Sequence, residues 1–368
     1  MKAKKIGILT GGGDAPGLNA VIYSLVRTLL SKYKCEIIGY KFGYRGLYTN
    51  DFMVLDYNST KGILHRGGTI LYSSNKDNLF DYNVEDQKGQ TVKKDVSDVA
   101  VENLKKDGVD VLCILGGDGT LTSARDFARK GVNVIGIPKT IDNDLASTDV
   151  TFGFDTAVNI VTENLGRLHT TTESHQRVMV VEVMGRSAGW IALASGIAGS
   201  ADVILIPEIP YSLDRVVAKI DERDASGRPF TIIIVCEGAV EKGGSAVVGK
   251  VVKDSPDPIR FGGIAAQIAR QLEPMIKHEV RYCALGHIQR GGETSAADRV
   301  LSVRYGVAAA DLIAQEKFGN MVCIRNGQMS YESLETVIGS GKYGAAKTVD
   351  PEGELVYVAR SLGISFGD

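Results

Sequence analysis

Repeatedly along this chain a short, almost wholly apolar run stops at a loop that carries glycine, an acid or arginine. Lys5–Thr10 runs into Gly11-Gly12-Gly13-Asp14-Ala15-Pro16-Gly17, and Val109–Leu115 into Gly116-Gly117-Asp118-Gly119-Thr120. Val132–Ile137 runs into Pro138-Lys139-Thr140-Ile141-Asp142-Asn143-Asp144, Val178–Val183 into Met184-Gly185-Arg186, and Phe230–Cys236 into Glu237-Gly238. A strand apolar along its whole length is one covered on both faces, as in a parallel sheet clothed by helices. In open α/β sheets ligands bind outside the carboxyl ends of such strands, which is where these glycines, acids and Arg186 fall.

A length of 368 residues predicts about two domains, and the chain has no low-complexity linker and no internal repeat. Packed α/β units between which the chain crosses are therefore expected. With 44% hydrophobic residues, 23% charged residues and a formal charge of -2, nothing attracts nucleic acid or an acidic membrane surface. Met1-Lys-Ala-Lys-Lys leads straight into a strand-like hexamer too short for a signal-peptide core, and no stretch approaches spanning length, so a cytoplasmic location is expected. The cysteines sit mostly in apolar runs without a C-x-x-C pair, and the histidines form no metal-ligand spacing. Any metal is expected to be magnesium on carboxylates and phosphates.

The loops carry the chemistry, each beside a plainer alternative. Gly11–Gly17 between strand and helix offers backbone N–H groups at a helix N-terminus, which suits an anion, and reads equally as a tight turn. Gly116–Thr120 puts one carboxylate in a glycine cradle suited to a nucleotide's phosphates and their magnesium; the alternative is an Asp-Gly turn with Thr120 as N-cap. Pro138–Asp144 holds two carboxylates and a hydroxyl, all of which also occur as turn and cap residues. Gly286-His287-Ile288-Gln289-Arg290-Gly291-Gly292 reads as an anion clamp. His169 is expected on a helix surface or in the core, Gly43–Leu47 as a loop, Asn75 to Lys94 as a solvated excursion, and the chain beyond Ile324 as irregular.

Taken together, Gly13–Gly17, Gly116–Thr120, Pro138–Asp144, Met184–Arg186 and Gly286–Gly292 resemble the phosphofructokinase family in order and spacing, over roughly residues 4 to 315. The resemblance implies two Rossmann-like three-layer α/β/α domains with the active site in the cleft between them. The larger, nucleotide-binding unit would comprise 1–153 and 289–339, and the smaller, sugar-phosphate-binding unit 154–288 and 340–368. It implies transfer of a phosphoryl group to the 1-hydroxyl of fructose 6-phosphate in glycolysis, with magnesium, by a homo-oligomer (homotetramer or dimer) with shared active sites. Carried over by motif, Asp142 is the general base, Thr140 and Arg186 hold the transferring phosphoryl, and Asp118 and Asp144 hold magnesium. Gly13, Gly117, Gly119, Thr120 and Asn75 line the nucleotide site. Met184, Gly185, Glu237, His287 and Arg290 receive the sugar phosphate, and Arg177 and Arg281 reach it from a neighbouring subunit.

Two positions bear on the donor. Pyrophosphate-dependent members resemble a pattern with Asp at the place of Gly119 and Lys at the place of Lys139, and this chain has Gly and Lys. An aspartate at 119 would oppose a nucleotide's α-phosphate by bulk and charge, so ATP is expected, while the Lys139 ammonium keeps pyrophosphate as the alternative. Asn75 stands where bacterial ATP-dependent members commonly have arginine, and Tyr23 replaces a basic residue of their effector site. NAD and lipid kinases resemble only the Gly116–Thr120 loop, and a silent sugar-phosphate sensor would not require Asp142.

Overall fold

The structure, a computed structural model, describes residues 2–85, 89–252, 259–339 and 346–368. In chain order the first strands are β1 (Lys5–Thr10), β2 (Glu36–Tyr40), β3 (Phe52–Val54), β4 (Tyr82–Glu85), β5 (Thr91–Lys94), β6 (Val111–Gly116) and β7 (Val134–Pro138). They are followed by β8 (Val178–Val183), β9 (Val203–Leu205), β10 (Thr231–Cys236), β11 (Val248–Val251), β12 (Ile259–Phe261), β13 (Val280–Ala284), β14 (Asn320–Arg325) and β15 (Gln328–Ser333). The helices are α1 (Leu18–Thr28), α2 (Tyr44–Thr49), α3 (Ser97–Lys106), α4 (Asp118–Arg129), α5 (Phe154–His175) and α6 (Trp190–Ala198). After them come α7 (Leu213–Ala225), α8 (Ile264–Leu272), α9 (Ala296–Ala314), α10 (Leu334–Ile338) and α11 (Glu354–Ser361).

A seven-stranded sheet runs β15-β14-β7-β6-β1-β2-β3, parallel except at its two antiparallel edges, β15 and β3. Alternation along its strands builds one core on each face. Ile6, Ile8, Cys113 and Leu115 pack under α1 and α9, whereas Leu9, Leu112 and Ile114 pack under α4 with Leu121 and Phe127. Gly306 of α9 lets that helix close on α1, because a Cβ there would lie 2.0 Å from Ser24 Oγ. A second, four-stranded sheet runs β13-β8-β10-β9, all parallel. Met179, Val181 and Val183 face α5, α6 and α11 on one side, and Val178 and Val180 face α7 and α8 on the other. Each sheet is thus the middle of three layers, as expected.

Several local expectations are corrected. Tyr44–Thr49 is helical rather than a loop: Tyr44 is buried, its hydroxyl donating to Thr120 O at 2.7 Å. The excursion contains the paired strands β4 and β5 and a fully buried Leu79, with Phe80, Tyr82 and Val84 packed on the same core, so a few apolar side chains among polar ones anchor it; its residues 86–88 lie outside the described residues. The chain beyond Ile324 is regular: β14 and β15 complete the large sheet, and Phe366 is fully buried in the core of the small sheet. Residues 340–345, which belong to that tail and to the expected 340–368 segment, lie outside the described residues. No helix among the described residues is long and apolar enough to cross a membrane.

Candidate active site

The glycine loop after β1 is folded by neighbours rather than by its own sequence. Gly11 N donates to Leu115 O at 2.9 Å and Gly12 N to Ser74 O at 3.0 Å, while Gly12 and Gly17 take the left-handed φ values of 78° and 102° that favour glycine. The Thr120 side chain fills the gap between the first two loops: a Cβ at Gly116 would meet its Cγ2 at 2.3 Å and one at Gly11 at 2.7 Å. Thr120 is therefore a buried spacer inside α4, and the N-cap is Gly117, which corrects the alternative reading of this loop. Asp118 and Gly119 occupy the first turn of α4, whose free N–H groups favour an anion. Beside this loop lies a cleft of 460 Å³, lined in part by Gly12, Gly13, Asp14, Ser74, Asn75 and Lys76.

The Pro138–Asp144 stretch leaves β7 into the space facing that loop. Lys139 is buried, and its Nζ donates to Gly13 O at 2.5 Å. Burial first and the Arg290 guanidinium second push its pKa down to about 8. The Thr140 hydroxyl accepts from Asp142 N at 3.0 Å, and Thr151 ties down Thr140 O at 2.8 Å. Asn143 sits at φ 53° with its side-chain oxygen accepting from Thr151 N at 3.1 Å, so the loop is held at both backbone and side chain. Asp142 is 4% exposed, and its Oδ1 is buried without a hydrogen-bond partner. Burial and the neighbouring Asp142 carboxylate push Asp144 up to about 6.

The second sheet supplies the facing wall. Glu237 leaves β10 and accepts from Arg186 N at 3.2 Å; burial and the Asp142 charge push it up to about 7. Arg186 is held at φ 53°, and Gly238 passes so close that a Cβ there would stand 1.8 Å from Arg186 O. Gly185, at φ 141°, meets Cys236 Sγ, and Met184 N donates to Gln289 Oε1 at 3.3 Å. From the short 3-10 helix Gly286–Arg290, which follows β13, Arg290 donates to Asp14 O in the glycine loop after β1 at 2.9 Å. Its path explains Gly13, where a Cβ would meet Arg290 Nη1 at 2.2 Å. His287 is exposed on the same turn.

Arg177 and Arg281 are not brought to this cleft. They stand at the amino-terminal starts of β8 and β13, the opposite edge of the sheet from Met184 and Arg186, and both pair with the carboxylate of Glu279. A six-residue strand spans roughly 20 Å, too far for either side chain to reach the same molecule's Glu237.

Comparison with known proteins shows the family. The family model described as Phosphofructokinase matches residues 5–313. The chain belongs to the phosphofructokinase family. Relatives of this family include ATP-dependent 6-phosphofructokinase 2 of Clostridium perfringens, 68% identical over 99% of each chain, and the ATP-dependent 6-phosphofructokinase of Chloroflexus aurantiacus, 46% identical over 100% of this chain and 99% of that one. Among solved structures, Pichia pastoris phosphofructokinase in the T-state matches with TM-score 0.76 at 30% identity, over 92% of this chain and 35% of that one. The pyrophosphate-dependent phosphofructokinase of Nitrosospira multiformis matches with TM-score 0.80 at 20% identity, over 99% of this chain and 93% of that one, a likeness of fold.

Other residues around this phosphofructokinase cleft stand outside the motifs. Lys347 N donates to Asp144 O at 2.7 Å, and Trp190 Nε1 donates to Lys347 O at 2.8 Å, so the tail returns to brace the carboxylate loop. Glu182 is buried near the end of β8, and an acid inside an otherwise apolar run is a signal the sequence does carry.

Proposed function

We propose that the chain is an ATP-dependent 6-phosphofructokinase, moving the γ-phosphoryl of ATP to the 1-hydroxyl of fructose 6-phosphate to give fructose 1,6-bisphosphate in glycolysis. The observation that carries this is Asp142: a buried carboxylate with an unpartnered oxygen, on a braced loop that faces a phosphate-type glycine loop and the Arg186 and Glu237 wall. Such an oxygen is free to accept the proton of an attacking hydroxyl. Its ordinary cost of desolvation is tolerable only where a ligand completes the site.

In this mechanism Asp142 takes the proton of the sugar hydroxyl as phosphorus–oxygen bond formation begins. Thr140 and Arg186 hold the transferring group, and their donors are already placed when charge develops. Glu237 and Met184 orient the sugar, and Arg290 with His287 takes its 6-phosphate; Arg290 would leave Asp14 O to do so. Gly13, Gly117, Gly119, Thr120 and Asn75 shape the nucleotide side. The Asp142–Asp144 pair, crowded enough to push Asp144 upward, suits a cation, and no cluster of three or more metal-ligating side chains exists among the described residues. A magnesium ion would be held there by Asp118 and Asp144 together with phosphates and water, and it would supply positive charge to offset that of the donor's phosphates.

Gly119 and the ATP-dependent relatives favour ATP. The Lys139 ammonium, committed to Gly13 O, acts as a brace of the glycine loop in this account, while its place beside the phosphate region favours pyrophosphate as the second reading. Steady-state kinetics with each donor at equal magnesium decides between them: ATP is expected to give the higher kcat/KM, and a preference for pyrophosphate overturns the assignment.

We further assign the 1–153 plus 289–339 unit to the nucleotide and the 154–288 plus 340–368 unit to the sugar phosphate. Arg177 and Arg281, pointing away from their own cleft, would serve a neighbouring subunit in a homotetramer or dimer with shared sites. A glycolytic role favours a cytoplasmic location.

A further inference from the structure

The segment 346–350 belongs to none of the motifs, yet it returns to the loop that carries Asp142. Lys347 meets that stretch of chain three times: its N donates to Asp144 O at 2.7 Å, and its Nζ donates to Asp149 O at 2.5 Å and to Thr148 O at 3.3 Å. The opposite side of the same segment is held by α6. Trp190 Nε1 donates to Lys347 O at 2.8 Å, with the Lys347 ammonium 5.4 Å from the ring. Two residues on, Val349 N donates to Glu208 Oε1 at 2.8 Å, and the same carboxylate accepts from Gly189 N, at the start of α6, at 2.9 and 3.2 Å. Val349 is 3% exposed and packs in the core of the four-stranded sheet, so the segment is built into the fold rather than laid over it.

We propose that Lys347 is a positioning residue for the proposed base Asp142, tying the Pro138–Asp144 loop to α6 and so to the wall that carries Arg186. The loop leaves β7 of the seven-stranded sheet, whereas α6 follows the Met184–Arg186 turn at the end of β8 in the four-stranded one. The bonds from Asp142 N to Thr140 and from Thr151 to Thr140 O and Asn143 lie within residues 140–151; they fix the shape of the loop and not its distance from the facing wall. Lys347 supplies that distance, because it grips three carbonyls on one side and is itself gripped from α6 on the other. Asp142 Oδ1 has no hydrogen-bond partner, so the aim of that oxygen depends on the backbone that carries it. A shift of about 1 Å in a reacting group costs on the order of a hundredfold in rate, and bonds from an ammonium are the stronger kind with which to prevent it.

This inference rests on the proposed activity and on Asp142 as its base, and the experiment separates all three. Wild-type enzyme, Lys347→Met, Trp190→Phe, Asp142→Asn and the Lys347→Met, Asp142→Asn double variant are assayed with ATP and fructose 6-phosphate at a temperature where each is folded. Inactive wild-type enzyme overturns the activity, and turnover of Asp142→Asn within about tenfold of the parent overturns the base. Otherwise Lys347→Met is expected to lower kcat roughly ten- to a hundredfold, with KM for both substrates within about threefold. Trp190→Phe, which keeps the ammonium, lowers kcat about fivefold, the scale of one neutral hydrogen bond. Adding Lys347→Met to Asp142→Asn lowers kcat by less than about threefold, because a base that is absent cannot be misplaced. A merely structural loss falls equally on both backgrounds. That result, an unchanged kcat in Lys347→Met, or a wild-type kcat in Trp190→Phe overturns the positioning role.

Discussion

Replacing Asp142 by Asn removes the proposed base while keeping its size, and its consequences run in opposite directions for activity and stability. Loss of a general base costs roughly 100- to 10,000-fold in turnover, or about 3–5 kcal/mol of barrier. The empty protein, by contrast, is relieved. Asp144 is pushed from 3.8 to about 6, equivalent to about 3 kcal/mol against its ionised form near neutral pH, and burial is the larger cause. The share due to Asp142 is then on the order of 1 kcal/mol, and Glu237 is relieved as well. The variant is expected to melt higher than its parent in the absence of ligands, to bind fructose 6-phosphate with little change, and to turn over at most at one hundredth of the rate. Coupled steady-state kinetics, equilibrium binding and thermal melts read all of these. Turnover within about tenfold of the parent refutes the base, and a lower melting temperature refutes the crowded-carboxylate account.

Gly238→Ala must drive its methyl against Arg186 O, 1.8 Å away, and so displace the Arg186 loop by about 1 Å; a fall in kcat/KM of roughly 100-fold is expected, and unchanged kinetics means that Arg186 does not need its present place. Asp144 and Glu237 both carry raised values, so folding takes up protons: their contribution to stability is complete below about pH 4 and is lost as pH rises through about 6 and about 7. Urea unfolding of the Asp144→Asn, Glu237→Gln double variant is expected to show a flatter decline over that window than the parent, and an equal slope removes these groups as its source. Lys139 is lowered, so the stability tied to it is present above about pH 10 and lost as pH falls through about 8; Lys139→Met is expected to be more stable than the parent at neutral pH, which the same titration checks.

Strand and loop positions were legible because buried parallel strands must be continuously apolar, and because chemistry at their ends demands residue types that rarely pack. Val178–Val183 and Thr231–Cys236 fall almost where periodicity places them, as do the loops carrying Asp142, Arg186 and Glu237. What was missed depends on distant partners. Tyr44–Thr49 forms a helix because Tyr44 finds Thr120, and β15 joins the large sheet because β14, its partner, pairs with β7.

The sequence by itself determined the α/β class, the family and the residue types presented at the strand ends, since these follow from local periodicity and from motifs that lie within single loops. Only the tertiary structure decided how those loops meet: that Lys139 braces Gly13 O, that Arg290 crosses to Asp14 O, and that Asp142, Asp144 and Glu237 crowd one another. It also separated Arg177 and Arg281 from the cleft, binding both to Glu279 at the far edge of the sheet. Charge and burial act through space, and a chain specifies those distances only once its two sheets have been folded against each other.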